Sequence, residues 1–321
     1  MTEEKKDLPY LAYSTWLKAH YGQKVYKIPI NTGASCPNRD GMLGYGGCIF
    51  CGAYGGSDES LSPTLSIKDQ LKKNKAYIGK RYHVSAFIPF FQNYSNTYCT
   101  LKELQSNLVQ CVDAVDTVGI SIATRPDCVT DQQLEMLVNM QQHYKIDICL
   151  ELGLQTSNYK TLRILQRHHG LGDYIDAAIR IKEKGLMLCT HTILDLPWDE
   201  RTDVKETASI ISAVSSDFVK CHSLYIEKGT KLAQLYQDGK IQLLELQEYI
   251  ERAILFLSFL SPDIAVQRII GRAPKKDSIV TNWNTSWWKV RDNLIDEMLK
   301  RKIWQGKGYS ANKNRLIEKL S

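Results

Sequence analysis

Long apolar runs are what this sequence lacks most plainly. No stretch approaches the ~18 consecutive apolar residues needed to cross a membrane, and the opening MTEEKKDLPY has no apolar core of the kind an export signal carries. A cytoplasmic location is the expectation. Low-complexity tracts and short-period repeats are missing too, so only the first seven or so and the last ten residues are expected to fray. Cysteine is not scarce, but its count of nine is odd and most of these residues stand alone, which does not suit a disulfide framework. In a reducing compartment, clustered thiols serve metals more often than cross-links. Acidic residues run short at one end only. Residues 262–321 hold 13 Lys and Arg against 6 Asp and Glu, so the net charge of +6 belongs to that end. Four of the six tryptophans lie there as well. What remains is ordinary: 321 residues, 43% hydrophobic and 24% charged, enough for two average domains or one barrel-sized domain with an extension.

Three of the cysteines lie together. Cys36, Cys48 and Cys51 fall in NTGASCPNRDGMLGYGGCIFCGAYGGSD, a glycine-rich loop that follows an apolar strand. Three thiolates on one loop suit a soft metal centre. They are one short of a closed tetrahedral shell, and an incomplete shell leaves a position for a substrate. One compatible centre is zinc, with Cys48 and Cys51 as a half-site completed by His20 or His83. The other is an iron–sulfur cube with one iron left free to bind something else. The six remaining cysteines are scattered over strands, helices and turns, where the thiol acts as a small hydrophobe.

Strand and helix patterns alternate along the rest of the chain. Strands are predicted at 25–31, 84–91, 118–124, 146–154, 186–194 and 217–226, as short continuous apolar runs of the kind that helices cover in a parallel sheet. Helices are predicted at 66–78, 100–115, 131–144, 158–167, 172–184 and 201–215, with Ser66 and Thr130 or Asp131 as caps. Six such units with right-handed crossovers give an α/β fold: a partial (β/α)6 barrel over residues 25–230. An N-terminal extension (1–24) precedes it and a helical, basic C-terminal extension (231–321) follows. In a barrel of this kind chemistry gathers at the C-terminal strand ends. Every such exit here is polar: the cysteine loop, FQNYSNTY, Arg125 and Asp127, Glu151 and Gln155, His191 with DLPWDE, then Lys220 and His222. Singly, each has a plain explanation, such as a loop ion pair for Arg125–Asp127, a helix cap for Gln155, or a hydrogen-bonded core histidine. Together they read as a pocket lined from every strand, with Lys220 and His222 as the candidate catalytic residues facing the substrate.

From about Tyr10 to Gly306 the chain resembles the radical S-adenosylmethionine (SAM) proteins related to the elongator catalytic subunit. The resemblance rests on CPNRDG with GGCIFC, FQNYSNTY, TRPD, ELGLQ, Arg167–His168, Leu196–Pro197 and the run from Lys220 to Thr230. It favours iron–sulfur over zinc, with a [4Fe-4S] cluster on Cys36, Cys48 and Cys51 and Phe50 as the aromatic before the last ligand. The eleven residues between Cys36 and Cys48 replace the commoner three, as in the elongator subunit. The resemblance implies that SAM is chelated by the free iron and cleaved to a 5′-deoxyadenosyl radical, with a reductant such as flavodoxin or ferredoxin supplying the electron. It also implies Gln155 and Arg167 as SAM contacts, twelve residues apart as in coproporphyrinogen-type radical SAM enzymes. An arginine fork suits a carboxylate, and a glutamine suits ribose hydroxyls. Gln92 and Asn93 stand where relatives meet the methionyl amine. Asp195–Asp199 reads DLPWD where G-L-P-G-E is usual, and Ala123 replaces an acidic residue, so no SAM contact is assigned to either place.

For the substrate, charge is the guide. Basic residues interleaved with tryptophans over 281–309 suit phosphates and stacked bases. Trp287, Leu294 and Met298 nevertheless recur at helical spacing and mark a helix packed on the barrel. Kinship to the elongator subunit implies tRNA as the partner, at the wobble-uridine side chain, and the C-terminal positive excess offers Lys300, Arg301 and Lys302 as phosphate contacts. Radical chemistry on a peptide or small metabolite is the alternative, and a non-catalytic, metal-stabilised RNA-binding protein is another.

Overall fold

The structure, a computed structural model, describes residues 8–52, 55, 60–112, 116–271 and 277–309. The chain ends expected to fray, and the last residues of the helix expected at 100–115, lie outside these.

All six predicted strands form, and each pairs in parallel with its successor. The sheet runs β1 (Val25–Ile30), β2 (Ala86–Phe91), β3 (Gly119–Thr124), β4 (Asp147–Gln155), β5 (Met187–Ile193) and β6 (Phe218–His222). Past a two-residue β7 (Ile226–Glu227), a seventh strand, β8 (Ala265–Arg268), then pairs in parallel with β6. That strand comes from beyond residue 230, where the sequence suggested helix alone. The stretch expected as one strand at 217–226 is broken, because Asp195 Oδ1 accepts the Leu224 N–H at 2.7 Å and turns the chain out of the sheet. β7 then pairs antiparallel with β9 (Ser278–Val280). β1 and β8 are the two edges of the large sheet, so the barrel is partial and open along one seam.

Ten helices complete the described residues: α1 (Tyr13–Tyr21), α2 (Ile67–Tyr82), α3 (Leu101–Val112), α4 (Asp131–Tyr144), α5 (Tyr159–Ile164), α6 (Leu171–Glu183), α7 (Arg201–Ala213), α8 (Lys231–Gln237), α9 (Leu246–Phe259) and α10 (Trp287–Lys300). Their starts follow the predicted caps. Ser66 Oγ accepts the Asp69 N–H, and Thr130 with Gln133 forms a reciprocal capping box. α5 is shorter than predicted because Gln166 and His168 adopt left-handed backbone, φ 55° and 56°, which turns Arg167 inward.

The main core lies between the sheet and its helices, where Ile28, Ile122, Leu150, Leu188 and Val219 are almost wholly buried. Inside the barrel the N-terminal end is plugged. Tyr13 and Trp16 of α1 pack edge-on against Phe218, with ring centres 4.9 and 4.7 Å apart. Cys149, Cys189 and Ala265 fill the same layer. With that end closed by apolar side chains, polar groups collect at the other.

Candidate active site

The cysteine loop leaves β1 and folds back over the C-terminal ends of the strands. Ile49 is buried against Leu165, Leu232 and Ile226, and backbone hydrogen bonds tie it to Leu165 and to Leu232 of α8. This anchoring turns Cys36, Cys48 and Cys51 onto one wall of a central cavity. Donors surround their sulfurs. Asn38 Nδ2 lies 3.4 Å from Cys48 Sγ, Arg167 Nη1 lies 3.3 Å from the same atom, and Arg39 Nη1 lies 3.8 Å from Cys51 Sγ. Burial, then the charge of Cys48 beside it, pushes the Cys51 thiol up to about 12. Three thiolates crowded together in a buried site need a cation between them, so the donor set fits a metal cluster.

A second wall suits an anionic ligand. Arg125 is buried and holds Asp127 by two bonds, Nε–Oδ1 at 2.9 Å and Nη2–Oδ2 at 2.7 Å. The loop ion pair expected from sequence is therefore present, yet it leaves Nη1 buried on the cavity wall with no hydrogen-bond partner among the described residues. Arg167 donates from Nη2 to the Gly153 carbonyl at 2.9 Å and from Nε to His169 Nε2 at 3.1 Å. Burial and the Arg167 charge pull His169 down to about 2, so the ring is neutral and accepts. The histidine that engages Arg167 is thus His169, while His168 of the sequence motif is exposed. Gly153 makes this wall possible. A Cβ there would sit 2.8 Å from Gln155 Nε2 and 3.0 Å from Arg167 Nη2.

The floor is a charge cluster centred on Glu151 of β4, whose side chain is wholly buried. Its carboxylate pairs with Lys27 of β1. It also accepts from Ser121 Oγ at 2.8 Å, His191 Nε2 at 2.7 Å and Lys220 Nζ at 3.3 Å. Burial alone would raise the Glu151 pKa, but Lys220 and Lys27 outweigh it and hold the group well below the carboxylate range. Burial lowers Lys220 to about 8 despite Glu151, and lowers His191 to about 4 with help from the Lys220 charge. His222 accepts from Arg268 Nη2 at 2.8 Å and is held neutral by burial and that guanidinium.

Eight of the nine residues assigned from sequence to the cluster, SAM or catalysis line this one cavity: the three cysteines, Gln92, Gln155, Arg167, Lys220 and His222. Asn93 does not; it is buried behind the rim, its carbonyl accepting from Asn96. Sequence reasoning missed Lys27, Asn38, Arg39 and Arg268. For Lys27 a signal existed, since a lysine in the middle of the apolar run KVYKIPI demands a buried partner.

Comparison with known proteins bears on the family and the fold. Residues 216–300 match the Radical_SAM C-terminal domain family. The chain is 31% identical over 293 residues to protein YtqA of Bacillus subtilis, covering 91% of this chain and 90% of that one. The structure of the archaeal Elp3 from Methanocaldococcus infernus shares the fold, with a TM-score of 0.67 at 16% identity over 88% of this chain and 64% of Elp3. A more distant match, 25% identical over 137 residues, is the tRNA uridine(34) acetyltransferase of the same archaeon, covering 42% of this chain and 25% of that protein. The fold is the partial barrel of the radical SAM class, and the C-terminal part of the chain matches that class's C-terminal domain family. Within that class, the chain belongs to the family that includes YtqA.

Proposed function

We propose that this chain is a radical SAM enzyme that modifies a base of tRNA, at the wobble-uridine side chain. The observation that carries the radical SAM part is the convergence of Cys36, Cys48 and Cys51 with the open Nη1 of Arg125 and with Arg167 and Gln155 on one cavity. The three cysteines would hold a [4Fe-4S] cluster, and Arg125, Arg167 and Gln155 would hold SAM. When bound, the cluster supplies the electron that splits SAM into methionine and a 5′-deoxyadenosyl radical.

The chain's own residues position, shield and move protons. Asn38, Arg39 and Arg167 donate toward the cysteine sulfurs and offset the negative charge gathered there. Phe50, Ile193 and Leu224 supply apolar cavity wall that limits water near a reactive species. Lys220 and His222, the candidate catalytic pair, lie on β6 and line the same cavity as the cysteine loop, where a substrate would meet SAM. With a pKa near 8, Lys220 can hold or release a proton close to neutrality. Glu151 fixes Lys220 and His191 in place and stays ionised.

For the tRNA part, the support is the similarity to the tRNA uridine(34) acetyltransferase and the positive excess of the C-terminal end. Comparing the modified nucleosides of tRNA from cells with and without the gene tests it. Loss of one modified uridine is expected, and an unchanged nucleoside profile would overturn the tRNA substrate.

A further inference from the structure

The residues between Cys36 and Cys48 are folded rather than slack. Asp40 and Tyr45 form an antiparallel bridge. The Leu43 N–H donates to the Pro37 carbonyl at 2.8 Å, and the Gly47 N–H donates to the Asn38 carbonyl at 2.8 Å. These bonds close the segment on itself, so Cys48 returns to the cavity wall that Cys36 occupies. Asn38 stands at the root of the turn and is almost wholly buried, whereas Asp40 is exposed.

Burying a primary amide is costly unless its donors are used. Here both are. Asn38 Nδ2 lies 2.6 Å from the Gln166 carbonyl and 3.4 Å from Cys48 Sγ. A carbonyl only accepts, so the atom facing Gln166 is the nitrogen, and its second N–H is left for the sulfur. Gly44 makes room for this amide, since a Cβ there would sit 2.8 Å from Asn38 Oδ1.

Cys48 is thereby set apart from the other two cysteines. Among the described residues it alone of the three takes two nitrogen donors within 3.4 Å, from Asn38 and from Arg167 Nη1 at 3.3 Å. The Arg39 donor to Cys51 Sγ is longer, at 3.8 Å. Cys48 is also buried, while Cys36 and Cys51 are half-buried. Hydrogen bonds to a thiolate weigh more where water is excluded.

The same amide reaches the other half of the site. Gln166 is one of the two left-handed residues that turn Arg167 inward. Its carbonyl belongs to the planar peptide joining Gln166 to Arg167, so the bond from Asn38 fixes the plane from which Arg167 departs.

We propose that Asn38 is a positioning residue that couples the two cofactors: one N–H sets the reduction potential of the cluster through Cys48, and the other sets SAM affinity through Arg167. A donor to a ligating sulfur favours the more negative, reduced cluster, so its loss lowers the potential. The proposal rests on the radical SAM reading above.

The test uses the full chain reconstituted anaerobically with iron and sulfide. Its readouts are the midpoint potential, from a redox titration followed by electron paramagnetic resonance, and SAM affinity by calorimetry. Asn38→Leu, similar in size but without donors, should keep a full cluster. Its reduction equilibrium should shift about tenfold toward the oxidised form, which is about 59 mV to more negative potential for one electron. SAM binding should weaken about tenfold, as for one lost hydrogen bond. Gly44→Ala, which keeps the amide but crowds it, should move both readouts the same way by a smaller factor, and it decides the matter where Asn38→Leu does not load. A parent-like potential in a variant that holds a full cluster would overturn the coupling, as would a shifted potential with unchanged SAM affinity. Failure of both variants to load would make Asn38 a residue of cluster assembly and overturn it too. A parent protein that takes up no cluster is a separate result, which overturns the radical SAM reading and this inference with it.

Discussion

Arg167 shows how one side chain can serve a fold and a cofactor at once. Its guanidinium is divided between Cys48 Sγ, the Gly153 carbonyl and His169, and it faces the cavity where SAM would lie. Arg167→Ala should weaken SAM binding about 10- to 100-fold, the worth of a charge-assisted pair at ~1.5–3 kcal/mol, with the cluster still assembled. Calorimetric titration of the reconstituted protein with SAM measures this, and unchanged affinity would make Arg167 structural. His191 carries a second prediction, in pH. The unfolded chain protonates this ring near the ordinary value of 6.5, the folded chain only near 4, so the unfolded state binds more protons between them. Stability from this group is full above about 6.5 and is lost as pH falls toward 4. His191→Gln should therefore show a shallower fall of Tm from pH 7 to 4.5 than the parent, and equal slopes would refute the assignment. At this scale the sequence was informative wherever polar residues stood at strand ends. Gln155 and Arg167 could be paired by their spacing. His169 could not be told from its neighbour His168, because only the left-handed turn at Gln166 and His168 decides which ring faces inward.

Among the elements, β4 and its bulge place the most chemistry. The register shift between Gly153 and Gln155 gives Gln155 a φ of 73° and leaves room for Arg167 above a residue without a Cβ. Gly153→Ala should cost modest stability, since its Cβ would meet the end of the Gln155 side chain and the Arg167 guanidinium that the Gly153 carbonyl and His169 hold. It should still lower SAM affinity by displacing both, and a variant with parent-like Tm and parent-like affinity would contradict that account. The plug helix α1 predicts the opposite pattern. Phe218→Ala removes the ring on which Tyr13 and Trp16 rest and should destabilise by ~3–5 kcal/mol in denaturant melts. A loss below ~1 kcal/mol would mean that α1 is not needed to close the barrel. Six strands were legible because each is a short, mostly apolar run between polar exits. β8 was not, since its four residues AVQR carry too little pattern and their partner, β6, is over forty residues away. The break after His222 was equally hidden, because it depends on Asp195 capturing the Leu224 N–H from another strand.

Across the whole molecule, charge and chemistry are laid out in sequence along one axis. An apolar plug closes the N-terminal end, the Lys27–Glu151–Lys220 cluster forms the floor, and the cysteine loop is anchored at the other end. The partial barrel was readable from the alternation of elements, and the cysteine loop from its own composition. The distribution of the C-terminal cations was not, because ion pairing of Arg301 across α9 and α10 is a tertiary fact. Every part of this layout supposes a cluster on Cys36, Cys48 and Cys51. The most direct test is anaerobic reconstitution with iron and sulfide, followed by SAM, a reductant and quantification of 5′-deoxyadenosine. The parent should hold a [4Fe-4S] cluster and release 5′-deoxyadenosine, each of Cys36→Ala, Cys48→Ala and Cys51→Ala should lose both, and Cys99→Ala, on an exposed turn, should keep both. A parent protein that binds zinc through Cys48 and Cys51 and yields no 5′-deoxyadenosine, or a Cys36→Ala variant that retains the full cluster and normal cleavage, would contradict it.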